Sequence, residues 1–99
     1  MYGLKYMMIE FENADVDEPF RVYMELDENN VLLRKVESYR AGLQEVYRNL
    51  NTPVNPREMA GEDGELLNIT ASQFESIWSM AHEMSGGIMG TSDFFFGLG

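Results

Sequence analysis

From Lys5 to Glu12 the chain alternates, with Met7, Ile9 and Phe11 on one side and Tyr6, Met8, Glu10 and Glu12 on the other. A period of two is the signature of a strand with one buried face. Asn13–Pro19 reads as a turn, because Asp15, Asp17 and Pro19 are all unfavourable inside a strand. Phe20–Asp27 alternates more cleanly, with Phe20, Val22, Met24 and Leu26 expected inward and Arg21, Tyr23, Glu25 and Asp27 outward. Asp27-Glu28-Asn29-Asn30 predicts a tight turn, since Asn tolerates positive φ. Val31–Tyr39 predicts a third strand that buries Leu32, Val36 and Leu33. Arg40-Ala41-Gly42 then closes a hairpin into a short fourth strand, Leu43–Arg48. Successive hairpin-length connections predict an antiparallel meander.

Leu50–Leu67 shows no period and is punctuated by Pro53, Pro56, Gly61 and Gly64, so it reads as irregular, with at most a short helix around Arg57–Ala60. Thr70-Ala71-Ser72-Gln73 matches a capping box, and Ile69 and Phe74 occupy the positions of a hydrophobic staple. Phe74, Ile77, Trp78 and Ala81 follow helical spacing, with Met80, Met84 and the stem of His82 nearby. Gly86-Gly87 predicts the end of that helix. Its stripe is expected on the sheet face formed by Met7, Ile9, Phe11, Val22, Met24 and Leu26. The fold class is therefore α+β: a three- to four-stranded antiparallel sheet with one C-terminal helix packed on one face. Residues 1–87 form a single domain, and 88–99 an aromatic and glycine-rich tail without periodicity.

Charge sharpens this picture. Glu10–Glu28 holds eight acids and one base, Asn29–Arg57 five bases and two acids, and the chain from Glu58 onward seven acids with no Lys or Arg, within a total of −10. Two acidic blocks flanking a basic strip steer a basic partner and repel phosphate and anionic lipid, although solubility alone also accounts for a net charge of this size. The basic strip (Arg34, Lys35, Arg40, Arg48, Arg57) is expected to pair internally, for example Arg34 or Lys35 across from Glu25. Nucleic acid is disfavoured as a partner because both acidic blocks oppose counterion release. The N-terminus lacks a signal peptide's apolar stretch and no run approaches the roughly 20 apolar residues of a membrane span, so a cytoplasmic protein without a membrane partner is expected.

Chemistry is sparse. The chain has no cysteine and one histidine, His82, within the predicted helix. That excludes thiol catalysis and Cys-ligated metals and leaves little for His-based catalysis. No glycine-rich phosphate loop follows a strand. Asp15, Asp17 and Glu18 offer oxygen ligands, but the mid-loop glycine and twelfth-position glutamate of a calcium loop are missing. No catalytic residue, metal or cofactor is expected, and the protein is read as a non-enzyme. What remains is recognition: the sheet face away from the helix, carrying Tyr6, Met8, Glu10, Glu12, Tyr23, Glu25 and Asp27, suits a basic protein surface, with an ordinary solvated face as the alternative. Phe94, Phe95 and Phe96 are candidate contacts with the domain itself, a second copy or a partner.

Tyr6-Met7-Met8-Ile9-Glu10, Asp17-Glu18-Pro19, Tyr23-Met24-Glu25-Leu26-Asp27, Arg34-Lys35-Val36-Glu37 and Ile69-Thr70 with Phe74 and Trp78 resemble, in order and spacing, a family of small bacterial domains of unknown function. The resemblance covers Leu4–Ala81 and implies an antiparallel sheet followed by one helix. Several such small acidic families are immunity proteins of polymorphic toxin systems, which by analogy of setting makes an immunity protein the most concrete expectation. Its partner would be a basic toxin, for instance a nuclease. Glu10, Glu12, Glu25, Asp27 and Glu28 would engage its Lys and Arg, and Tyr6 and Tyr23 would anchor the contact. The alternative is a structural or regulatory homo-oligomer, such as a homodimer, without enzymatic activity.

Overall fold

In the computed structural model, which describes residues 3–89 and side chains as far as Ala81, the chain forms a six-stranded antiparallel sheet flanked by two helices. The strands are β1 (Lys5–Phe11), β2 (Arg21–Leu26), β3 (Val31–Ser38), β4 (Gln44–Tyr47), β5 (Thr52–Pro53) and β6 (Gly64–Asn68). The helices are α1 (Pro56–Ala60) and α2 (Ala71–Met89). The sheet order is β4-β3-β2-β1-β6, and β5 pairs with the first residues of β3 beyond the reach of β4. The predicted meander is present as β1–β4. The predicted three to four strands understate the six: β5 and all but the last residue of β6 lie in the stretch read as irregular.

The missed strands have a physical explanation. β5 is two residues long and contains a proline. β6 reads Gly-Glu-Leu-Leu-Asn because both faces of the sheet are covered: Leu66 packs into one core, while Leu67 lies opposite Met8 on the other face. A strand covered on both sides shows no alternation. Gly64 lies opposite Phe11, and a Cβ there would fall 2.5 Å from the Ala60 carbonyl oxygen and 2.8 Å from the Phe11 ring. Because one obstruction is backbone, Gly64→Ala is expected to lower stability by about 1–3 kcal/mol, read as a reduced urea midpoint.

Two cores sandwich the sheet. On one face Ile9, Val22, Met24, Leu26 and Leu32 pack with Ala60 of α1, joined by Leu50, Val54 and Met59. On the other, Tyr23 and Val36 pack with Phe74 and Ala81 of α2, joined by Tyr6, Met8, Ile77 and Trp78. The long helix therefore covers the face opposite to the expected one, and the Met7–Ile9–Leu26 face is closed by α1 and the β4–β5 connection. Leu32 and Val36 are both buried, as predicted, but in different cores. The pairing slips by one residue between Glu25 and Leu26, so Arg34 opposes Glu25 while Leu32 opposes Leu26. A bulge of this kind reverses which face a position serves. Phe20 belongs to neither core; its ring carries the guanidinium groups of Arg21 and Arg40 at 5.0 and 5.1 Å.

Local chemistry sets the element ends. Asp27 Oδ1 accepts from the amides of Asn29 and Val31, and Asn30 takes φ 63°, closing the β2–β3 turn. Asn55 caps α1, and Pro56 opens it. The Thr70 amide donates to Gln73 Oε1 at 2.8 Å and the Gln73 amide to Thr70 Oγ1 at 3.0 Å, the reciprocal capping box expected at α2. The helix does not end at Gly86-Gly87 but continues to Met89. Glycine weakens a helix by about 1 kcal/mol yet keeps its N–H, so the backbone ladder can run through it. Met80, expected near the apolar stripe, is 55% exposed.

Candidate functional site

The residues expected to share one recognition face are dispersed. Tyr23 and Glu25 are only 8% and 6% exposed, beneath α2. Glu25 is clasped by Arg34, whose Nε lies 2.7 Å from Oε1 and whose Nη2 lies 2.9 Å from Oε2. The Tyr6 hydroxyl donates to the same carboxylate at 3.0 Å, and its ring meets Phe74 at 5.4 Å. Arg34 also reaches Glu75 at 2.6 Å, tying the helix to the sheet. The Arg34 hydrogen bonds, helped by Tyr6, hold the Glu25 carboxyl below its ordinary value against the opposing effect of burial. The predicted Arg34–Glu25 pair is thus present, and it is internal.

The other expected contacts sit at the two ends of β1. Glu10 pairs with Arg21 at 3.1 Å, and Glu12 is exposed in the following loop. Asp27 closes the β2–β3 turn and Glu28 is exposed beside it, roughly 20 Å away at the rise of an extended strand. Phe94, Phe95 and Phe96 lie outside the described residues. The acidic end is extended by Glu18, Glu62 and Asp63, which rim an open cavity of about 380 Å³ whose floor includes Phe11 and Ala60.

An acidic and tyrosine-bearing surface does exist, on the β3–β4 hairpin. Glu37 and Glu45 are direct cross-strand partners. The Tyr39 hydroxyl donates to both, at 3.2 and 3.3 Å, and the Tyr47 hydroxyl donates to Glu45 at 2.8 Å. Lys35 Nζ lies 2.8 Å from Glu37 and 4.7 Å from the centre of the Tyr47 ring. Like charges directly opposite on neighbouring strands repel, and the two phenol protons with one ammonium offset that repulsion. Burial, reinforced by the two carboxylates, pushes the Tyr39 hydroxyl up to about 12, while hydrogen bonding to Glu45 is the leading cause of the upward shift at Tyr47. All four side chains are half-buried. The sequence carries a signal for this cluster in the triplet Glu-x-Tyr, which occurs at Glu37–Tyr39 and again at Glu45–Tyr47 across the Arg40-Ala41-Gly42 turn.

The model of a domain of unknown function, DUF6881, matches residues 5–83. The chain belongs to the DUF6881 family. The DUF6881 match runs from β1 through most of α2, so it takes in the β3–β4 cluster, the Arg34 pair and the capping box. No curated protein and no solved structure matches the chain. Among the described residues, no helix is long and apolar enough to cross a membrane.

Proposed function

We propose that this DUF6881 domain is a cytoplasmic protein-binding module, most concretely an immunity protein that neutralises a basic toxin, with a nuclease as the class its charge suits. The observation that carries the reading is the Glu37–Glu45 pair, two carboxylates held face to face between Tyr39 and Tyr47. A partner guanidinium arriving at this pair meets oriented acceptors, and the tyrosines supply area that excludes water. The acidic loop end and a net charge of −10 steer the encounter. Catalysis is no part of this role. The domain acts by occupying the Lys and Arg with which the toxin would hold its own anionic substrate. Captured from its native cells at low salt, the tagged chain should recover one basic protein in stoichiometric amount. Adding the chain should abolish that protein's activity at equal molarity. In the E37Q/E45Q variant the partner affinity should fall at least about tenfold and its salt dependence should weaken, with the fold intact. Unchanged affinity and salt dependence would remove this surface from the contact.

A second reading, self-association, is favoured by one feature: β6 pairs only with β1, so among the described residues its outer edge has no strand neighbour. Light scattering on the chain with and without residues 88–99 separates the two: a dimer that survives truncation points to the β6 edge, a dimer that becomes a monomer points to the tail, and a monomer throughout overturns self-association.

A further inference from the structure

The sheet order β4-β3-β2-β1-β6 leaves the far side of β6 without a strand neighbour among the described residues. The hydrogen-bond pattern fixes which groups point that way. The Ile69 amide donates to the Tyr6 carbonyl at 3.0 Å, one step beyond the Met7–Asn68 pair. Antiparallel pairing alternates from there, so Leu67 and Glu65 turn their amides and carbonyls toward β1. Gly64, Leu66 and Asn68 turn theirs outward, along about 14 Å of edge. No hydrogen bond from another element meets these groups among the described residues. Natural sheets blunt such an edge with lysine, proline or a bulge. β6 reads Gly-Glu-Leu-Leu-Asn and keeps an unbroken register with β1, so it has none of these.

The side chains along the edge ask for a particular neighbour. Glu65 is exposed and lies directly opposite Glu10, whose carboxylate is taken by Arg21 of β2 at 3.1 Å. From β2 to β6 the charges therefore run plus, minus, minus. Like charges directly opposite repel, and a cation on a strand beyond β6 relieves that repulsion. A cavity of about 320 Å³ at this corner takes in Glu12 and Asp63 as well. Its two guanidinium groups are engaged, Arg21 with Glu10 and Arg40 with the carbonyls of Glu12 and Ala14. The middle of the edge is apolar on both faces. Leu66 packs on the α1 side, Leu67 lies opposite Met8 on the α2 side, and both are half-buried.

We propose that the β6 edge takes an extended basic peptide of another protein as a further antiparallel strand. Strand addition draws affinity from main-chain bonds and specificity from alternate side chains. The segment carries apolar residues opposite Leu67 and Leu66, a lysine or arginine opposite Glu65, and a second base toward Asp63. A second copy of the chain does not meet this description. Its β6 has no Lys or Arg to set against Glu65, and each chain brings a net charge of −10. The edge and the Glu37–Glu45 pair lie at opposite margins of the sheet, so this inference does not depend on that contact.

The test adds the full chain to the synthetic peptide Thr-Val-Val-Lys-Thr-Lys, capped at both ends and labelled with a fluorophore, and follows anisotropy. Saturable binding is expected, and in the isotope-labelled chain the amide signals of Gly64, Leu66 and Asn68 should shift. The same peptide N-methylated at its second valine keeps every charge but loses the N–H that meets the Leu66 carbonyl. It should bind at least about tenfold more weakly. Glu65→Lys reverses an exposed charge that faces Glu10, so that variant should melt no lower than the parent and also lose at least about tenfold in affinity. No saturable binding, equal binding by the methylated peptide or by Glu65→Lys, or shifts confined to residues outside β6 overturns the proposal. A chain that is already dimeric and refuses the peptide would give the edge to a second copy and overturn it too.

Discussion

Replacing Phe74 with alanine is expected to bring the domain close to unfolding. The side chain is fully buried at 0% exposure and sits where the helix meets the sheet. Its ring lies 5.4 Å from that of Tyr6 and 6.1 Å from that of Trp78, and the Arg34 guanidinium lies 5.0 Å from its centre. Truncation removes apolar burial, leaves a cavity that the sheet cannot collapse to fill, and strips the hydrophobic cover from the Arg34–Glu25 pair. Such changes cost about 3–5 kcal/mol. A domain of this size is stable by about 5–15 kcal/mol in total. Urea unfolding followed by circular dichroism should show the midpoint falling by a large fraction. Met80→Ala, at a position 55% exposed on the same helix, is the control and should stay within about 0.5 kcal/mol. A loss below about 1 kcal/mol for Phe74→Ala would mean that α2 does not pack on this face.

The second large effect concerns Glu25, and it has a pH signature. Glu25→Gln leaves Arg34 without its bidentate partner beneath the helix. Breaking a fully buried pair costs about 3–5 kcal/mol; about 2–3 kcal/mol is expected here. The reduction follows because the Arg34 side chain is 22% exposed and keeps Glu75. The Glu25 carboxyl is held below its ordinary value in the folded state, so around that value the unfolded chain binds more protons. The stabilisation is therefore complete above the ordinary glutamate value, near pH 4.3, and is lost as pH falls through the depressed one. Stability of the parent chain should drop more steeply with acidification than that of Glu25→Gln, and the two curves should converge at low pH. Parallel curves down to the acid limit would show that Glu25 and Arg34 are not coupled.

Both effects depend on a contact between helix and sheet that was only half legible in the chain. The turn chemistry of Asp27–Asn30, the hairpin at Arg40-Ala41-Gly42, the Thr70–Gln73 box and the Phe74–Ile77–Trp78–Ala81 stripe are local. Each depends on residues within a few positions of one another, and each appears in the structure as expected. The recognition face was harder to place. Tyr6, Tyr23 and Glu25 look outward by alternation because tyrosine and glutamate are usually solvated, yet Arg34 from the neighbouring strand and Phe74 from the distant helix make their burial favourable. The tyrosine and carboxylate surface that half faces solvent arises instead on β3–β4, where Glu37 meets Glu45 only once the hairpin register is set.

By itself, then, the sequence determined the α+β class, the β1–β4 meander, the capped helix and its apolar stripe, because period and capping act over a few residues. The side of the sheet that the helix covers was decided only in the tertiary structure. β6 adds beside β1 with Asn68 opposite Met7, and the next residue, Ile69, donates its amide to the Tyr6 carbonyl at 3.0 Å. Ile69 thereby joins the Tyr6–Tyr23–Val36 side, and α2, which starts two residues later, is delivered to that face. A strand with no alternation of its own thus sets the entry of the longest helix, through a register that exists only when β1 and β6 are paired.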